Sequence, residues 1–443
     1  MTLQLPLFSE FIKEKPRNNG KANKLEPQDR AFHDWYRFVL SFPPHLVRDY
    51  LDEFATKKSS VILDPFCGTG TTLVESKLRG FSSFGTEANS FAHFASSVKT
   101  DWEIDPDVLL DKSKEIAKLV LDKLRNQGID DELPFIGNID DLPLRQLPDD
   151  ENKLILTGSV SPLPLHKTIV LLETLKEFQS ERIYQHQLLA LSNALVFKVS
   201  NLNFGPEVGV GKQKSDVSVI NSWVSEIQKM ANDLRLVTGN SHVSSQVKLA
   251  DARSLDKVLP EKSIDIVITS PPYPNEKDYT RITRLESVVL GFINNKADLR
   301  LLKKGLMRSN TRNVYKGDDD DKWVENNAEI QQIANAIEAR RIELGKTSGF
   351  EKLYAKVTKL YFGGMARHLA SLRTVLRPNA NLAYVVGDQA SYLRVMIRTG
   401  KILGDIAQEL GYEVVRTDLF RTRLATATKE QLREEVVILR WKG

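Results

Sequence analysis

One segment limits the fold more than any other: Val61-Ile62-Leu63-Asp64-Pro65-Phe66-Cys67-Gly68-Thr69-Gly70-Thr71-Thr72. A short apolar run ends in an acid, a Gly-x-Gly turn follows, and Leu73 to Arg79 then reads as a helix stopped by Gly80. Strand, glycine turn and helix in that order hold nucleotide-like cofactors, because glycines let the backbone approach the ligand closely. No Gly-Lys-Ser/Thr follows, so this is not a phosphate-binding P-loop, and Leu73 stands where a dinucleotide fingerprint has its third glycine. Downstream, Phe84-Gly85-Thr86-Glu87 ends a second strand with a carboxylate placed to accept two ribose hydroxyls. A third strand, Val247 to Ala252, brings Asp251 to its end, which suits an adenine amino group.

A second motif carries chemistry. Thr269-Ser270-Pro271-Pro272-Tyr273 directly follows the apolar run Ile264 to Ile268. Pro271 and Pro272 supply no N–H donors and leave their carbonyls free to accept. Ser270 adds a side-chain acceptor and Tyr273 a flat ring. Such a group can grip the hydrogens of a planar amino group while the ring stacks on its heterocycle. An amino nitrogen conjugated to an aromatic ring is a poor nucleophile, and bending its hydrogens toward two acceptors localises the lone pair.

Together these motifs resemble the S-adenosylmethionine-dependent amino-methyltransferases of DNA. Asp64 to Thr72 is similar to that family's cofactor loop, and Ser270-Pro271-Pro272-Tyr273 to its catalytic tetrapeptide. The resemblance covers roughly 1–100 and 245–443. It implies an α/β, doubly wound Rossmann-like sheet of about seven strands, with a hairpin-like pair closing it at the C-terminus. It implies S-adenosylmethionine held by Asp64, Pro65, Phe66, Gly68, Gly70, Thr71, Glu87 and Asp251. Catalysis then falls to Ser270, Pro271, Pro272 and Tyr273. The substrate is a base flipped from double-stranded DNA, cytosine N4 favoured over adenine N6 by Ser270, with a separately encoded restriction endonuclease as a partner. In many relatives with this style of cofactor loop the tetrapeptide comes first in the chain; here the cofactor loop does. An RNA guanine-N2 methyltransferase and a non-catalytic DNA-recognition subunit stand as alternatives.

Composition bounds this reading. A chain of 443 residues can bury one large α/β core and an insertion. A net charge of only +4 makes any nucleic-acid contact local rather than global. The single cysteine, Cys67, rules out a disulfide framework, and the 7 histidines lack metal-ligand spacing, so no metal is expected. Methylation at a ring carbon needs a cysteine nucleophile beside the base; Cys67 lies in the cofactor turn, which favours an exocyclic nitrogen. No stretch approaches a membrane span, and a cytoplasmic, nucleoid-associated protein is expected.

Four regions are expected: a flexible tail over 1–27, the first part of the methyltransferase domain over 28–100, a largely helical insertion over 101–245, and the second part over 246–443. Gln4-Leu5-Pro6-Leu7-Phe8 resembles a peptide that docks on the replication sliding clamp. Asn203 to Lys214 reads as a glycine-rich flap near substrate or a surface linker. Within a further insertion at about 292–360, Lys303, Lys304, Arg308 and Arg312 form a basic run suited to phosphates. Asp318 to Asp321 then reads as a solvated loop tip.

Overall fold

The computed structural model describes residues 12–13, 25–38, 41–205, 207–237, 239–275, 277–424 and 430–443. The segment Gln4 to Phe8 lies outside the described residues, as does most of the expected tail.

Eight strands form the main sheet: β1 (Ile12–Lys13), β2 (Ile62–Asp64), β3 (Ser83–Glu87), β6 (Ser245–Leu249), β7 (Ile264–Thr269), β8 (Leu376–Gly387), β9 (Glu413–Leu424) and β10 (Gln431–Trp441). A separate hairpin pairs β4 (Leu202–Phe204) with β5 (Val208–Val210). The order across the main sheet is β1-β9-β10-β8-β7-β2-β3-β6, and only β10 runs against its neighbours. Seven of these strands make the expected doubly wound sheet with its closing antiparallel strand, and the two-residue β1 adds an edge. The chain winds outward from β2 in one direction to β3 and β6, and in the other through β7 and β8. Ligands of open α/β sheets bind at that switch point, outside the C-terminal strand ends.

Both faces of the sheet are buried, which is why its central strands are apolar throughout. Ile62, Ile266, Ile268 and Val385 face helix Pro44–Phe54 through Leu46, Val47 and Leu51. Their chain neighbours Leu63, Val267 and Tyr384 point the other way, onto helix Tyr354–Val375 through Tyr361, Met365 and Leu369. This alternation is the two-residue period of a strand.

The region expected as a helical insertion is helical, in Pro106–Arg125, Pro162–Glu177, Tyr184–Ala194 and Val219–Arg235. It does not build a core of its own. Leu109, Leu171, Leu191 and Ile227 share one apolar cluster with Phe32 and Trp35 before the cofactor loop, Phe91 after it, and Leu285 beyond the catalytic motif. Polar bonds reinforce the joint: the Trp35 indole and the Phe32 N–H donate to Asp233 at 2.8 and 3.0 Å. The glycine-rich Asn203 to Lys214 is not a plain loop, since it contains the β4–β5 hairpin. Lys214 is tied back to the carbonyls of Lys198 and Ser200 at 2.6 and 2.7 Å.

Candidate active site

The cofactor turn leaves β2 at Asp64 and enters helix Thr71–Leu78 through Gly70. Gly70 has φ +84° and Gly68 φ +52°, backbone that side-chain-bearing residues rarely adopt. Strand β3 clamps the turn from one side: Cys67 N–H donates to the Thr86 carbonyl at 3.1 Å, and Thr86 Oγ1 to the Pro65 carbonyl at 2.7 Å. Gly85 allows this fit. A Cβ there would lie 2.7 Å from Leu73 and 3.0 Å from Cys67 Sγ.

Glu87 caps the arrangement, accepting from Gly68 N–H at 2.9 Å and Asn89 N–H at 2.7 Å. Burial outweighs these donors and pushes its carboxyl up to about 7. Asp64 is fully buried and does not line the cavity; its Oδ1 accepts from Thr269 Oγ1 at 2.6 Å and Phe66 N–H at 3.1 Å. Burial raises it to about 6. The expectation that Asp64 binds cofactor is therefore corrected: it fastens the cofactor turn to the strand that ends in the catalytic motif. Thr72 makes a second tie, donating to the Ile268 carbonyl at 3.0 Å. Gly70 also acts behind the cavity wall, where a Cβ would press on Ser96 at 3.1 Å.

Because β2 and β7 are parallel neighbours, their ends bring both motifs to one cavity of about 570 Å³. Pro65 to Thr69, Thr71 and Glu87 line it together with Ser270, Pro271, Pro272 and Tyr273. Ser270 Oγ lies 3.2 Å from the Val385 carbonyl, and Tyr273 N–H donates to Tyr279 Oη at 3.4 Å. The Tyr273 ring packs on Gly387 at the end of β8; a Cβ on Gly387 would stand 2.9 Å from it. Burial and then the Glu434 carboxylate raise the Tyr273 hydroxyl well above its ordinary value, so the ring stays neutral. Gly387 gave no advance signal, whereas Phe38 and Phe42 line the cavity from the aromatic-rich segment before β2; a Cβ on Gly68 would touch Phe38 at 3.6 Å.

Asp251 also lines the cavity, but its carboxylate already serves Arg253, accepting from the backbone N–H at 2.9 Å and from Nη2 at 2.6 Å. Arg253 in turn pairs with Asp320, which is buried rather than at a solvated tip. The basic run divides in the same way. Arg308 is buried, 4% exposed, and held by Asp318 at 2.8 and 2.9 Å, so it is no free phosphate ligand. Lys303 is paired with Asp278 at 2.7 Å. Lys304 and Arg312 are exposed and make no ion pair among the described residues, and Gly305, Met307 and Ser309 between them line the cavity.

S-adenosylmethionine fits these residues: a glycine turn of left-handed backbone, a half-buried carboxylate beside it, and an aromatic-walled cavity opening on the tetrapeptide. Among the described residues no group of His, Cys, Asp and Glu could hold a metal ion, and no helix is long and apolar enough to cross a membrane.

A family model described as DNA methylase, of the N6/N4 class, matches residues 9–96. Over 448 residues the chain is 23% identical to the type II methyltransferase M.BsoBI of Geobacillus stearothermophilus, covering 95% of this chain and 85% of that one. Over 425 residues it is 25% identical to the type II methyltransferase M.AvaI of Nostoc sp., covering 89% and 81%. Among solved structures, the rRNA methyltransferase AviRa of Streptomyces viridochromogenes aligns over 94% of each chain at 10% identity, with a TM-score of 0.32, and adds nothing to the topology above. With both motifs on one cavity at the switch point of the sheet, the chain is similar to the N4/N6 amino-methyltransferases of DNA, with S-adenosylmethionine as its cofactor.

Proposed function

We propose that the chain methylates the exocyclic amino group of a base flipped from double-stranded DNA, cytosine N4 in preference to adenine N6. In this reading it is the modification member of a restriction–modification pair. The observation that carries it is the shared cavity: the cofactor turn and Ser270–Tyr273 are held together by the Asp64–Thr269 and Thr72–Ile268 bonds.

Glu87 takes the ribose hydroxyls, and Pro65, Phe66, Gly68 and Thr71 shape the cofactor's bed. When bound, S-adenosylmethionine supplies an electrophilic methyl on its sulfonium. Ser270 Oγ and the Pro271 carbonyl accept the two amino hydrogens, and Pro272 fixes the turn that aims them. Tyr273, backed by Gly387, stacks on the extrahelical base, whose unstacking costs a few kcal/mol. Positioning is the protein's main contribution. Cys67 supports nitrogen over carbon as the acceptor: burial, then Glu87 and Asp64, keep its thiol protonated, so it offers no thiolate nucleophile. Ser270 supports cytosine, by resemblance to N4-specific relatives. The relatives named type II methyltransferases support the pairing with a restriction endonuclease.

Single-molecule modification mapping of DNA from cells expressing the protein tests base and sequence together. N4-methylcytosine at one short sequence is expected. N6-methyladenine would overturn the base assignment, and unmodified DNA the function.

A further inference from the structure

We propose that Lys277, Arg421 and Arg423 form the seat for a DNA phosphate beside the flipped nucleotide. This rests on the function proposed above and adds a substrate contact that neither sequence motif contains. The cavity is electrically divided. Around the cofactor turn its charged linings are the acids Glu87 and Asp251. Around Tyr273 they are Lys277, Arg421 and Arg423, with Glu434 as the acid among them. Glu207, also on the wall, is spoken for by Arg281 at 3.5 Å.

One carboxylate does not balance three cations. Glu434 holds Arg421 through two bonds of 2.6 and 2.9 Å and stands 3.7 Å from Arg423 Nε. Lys277 makes no ion pair among the described residues, although Asn310 fixes its backbone by donating to its carbonyl at 3.0 Å. Burial and then the neighbouring Arg423 press the Lys277 ammonium below its ordinary value, a cost that an arriving anion relieves. The anion that must come within reach of Tyr273 in every turnover is the backbone of the strand carrying the target base. A lysine and an arginine fork suit a phosphodiester as point charge and planar donor. Arg421, braced by Glu434, sets the depth of the seat.

The test uses a duplex carrying the mapped recognition sequence, with the phosphates flanking the target nucleotide replaced one at a time by uncharged methylphosphonate. The intact enzyme should lose about tenfold in kcat/KM at one replaced position, the usual worth of a charge-assisted hydrogen bond. Lys277→Gln and Arg423→Gln should each lose a similar factor on ordinary DNA and nothing further on that modified duplex. Their salt dependence of binding should flatten by about 0.9 in log–log slope for the lost phosphate contact. An intact enzyme indifferent to every flanking replacement overturns the seat, as do variants that lose the same factor on both duplexes. A matching loss of S-adenosylmethionine affinity in both variants also overturns it, by giving the cations to the cofactor's carboxylate. No methyl transfer to any DNA by the intact enzyme overturns the function itself, and the seat with it.

Discussion

The cofactor turn and the basic segment after the catalytic strand are both short, both rich in signal, and were legible to very different degrees. In the turn, function depends on backbone: two glycines of positive φ, a strand before and a helix after. Those demands are written locally, so residue order alone reveals them. In the basic segment, function depends on which cations remain unpaired after folding. Arg308 meets Asp318 ten positions on, and Lys303, on the helix Lys296–Gly305, meets Asp278, 25 positions earlier. A run of like charge in sequence thus became two internal braces and two exposed cations. Backbone geometry reads out from neighbours in sequence, whereas charge reads out only from neighbours in space.

The sharpest way to break that contrast is Arg308→Ala. If Arg308 is a brace, its loss strands the Asp318 carboxylate in a buried setting and should cost about 3–5 kcal/mol of stability. Urea unfolding would show it; a stability equal to wild type would return Arg308 to the DNA surface. Next in size is Tyr273→Ala. Methyl transfer should fall about ten- to a hundredfold with cofactor affinity intact, since stacking contributes about 1–3 kcal/mol per base. Turnover near wild type would remove the ring from the mechanism.

Glu87→Ala probes the turn. Calorimetry should find S-adenosylmethionine bound about tenfold more weakly, the worth of hydrogen bonds to a charged acceptor. Titration gives the same residue a second signature. Glu87 and Asp64 have folded values of about 7 and 6, raised above the ordinary carboxylate range by burial. The folded state therefore binds their protons more tightly than the unfolded chain. Their contribution to stability is complete below the ordinary carboxylate range and is lost as pH rises through about 6 and 7. Cofactor affinity should run the opposite way, weakening as pH falls below about 7, because a protonated Glu87 accepts poorly. Denaturation and binding curves across that window check both signs, and flat profiles would count against them.

The smallest effect belongs to Lys304 and Arg312. Replacing both by Gln should weaken binding to all DNA sequences alike and flatten the salt slope by up to about 0.9 per lost contact. The preferred sequence should not change, because phosphate contacts position without reading bases. An unaltered slope would leave both as solvated surface charges.

Much of the fold could be read in advance for the same reason as the turn. The apolar run of β2, the glycine turn and the helix Thr71–Leu78 before Gly80 declare themselves by pattern and stop signal. What escaped was contact at long range. Gly387 is an unremarked strand-end glycine until Tyr273 is laid against it, more than a hundred positions away. Asp64 looked like a ligand to the cofactor because its motif is a cofactor motif, yet its side chain faces Thr269. The helical region was expected as an insertion, too long for a loop, yet its apolar faces close over Phe32, Phe91 and Leu285.

The short bond between Asp64 and Thr269 joins residues whose strands touch whatever the chain does between them. The machine is assembled by adjacency in the sheet, so its working order is spatial and not genetic. A gene that encoded the tetrapeptide before the cofactor loop would deliver the same two strand ends to the same place. Rearrangement of the coding sequence is thereby uncoupled from the chemistry, and a lineage built on this sheet can reshuffle its segments and remain a methyltransferase throughout.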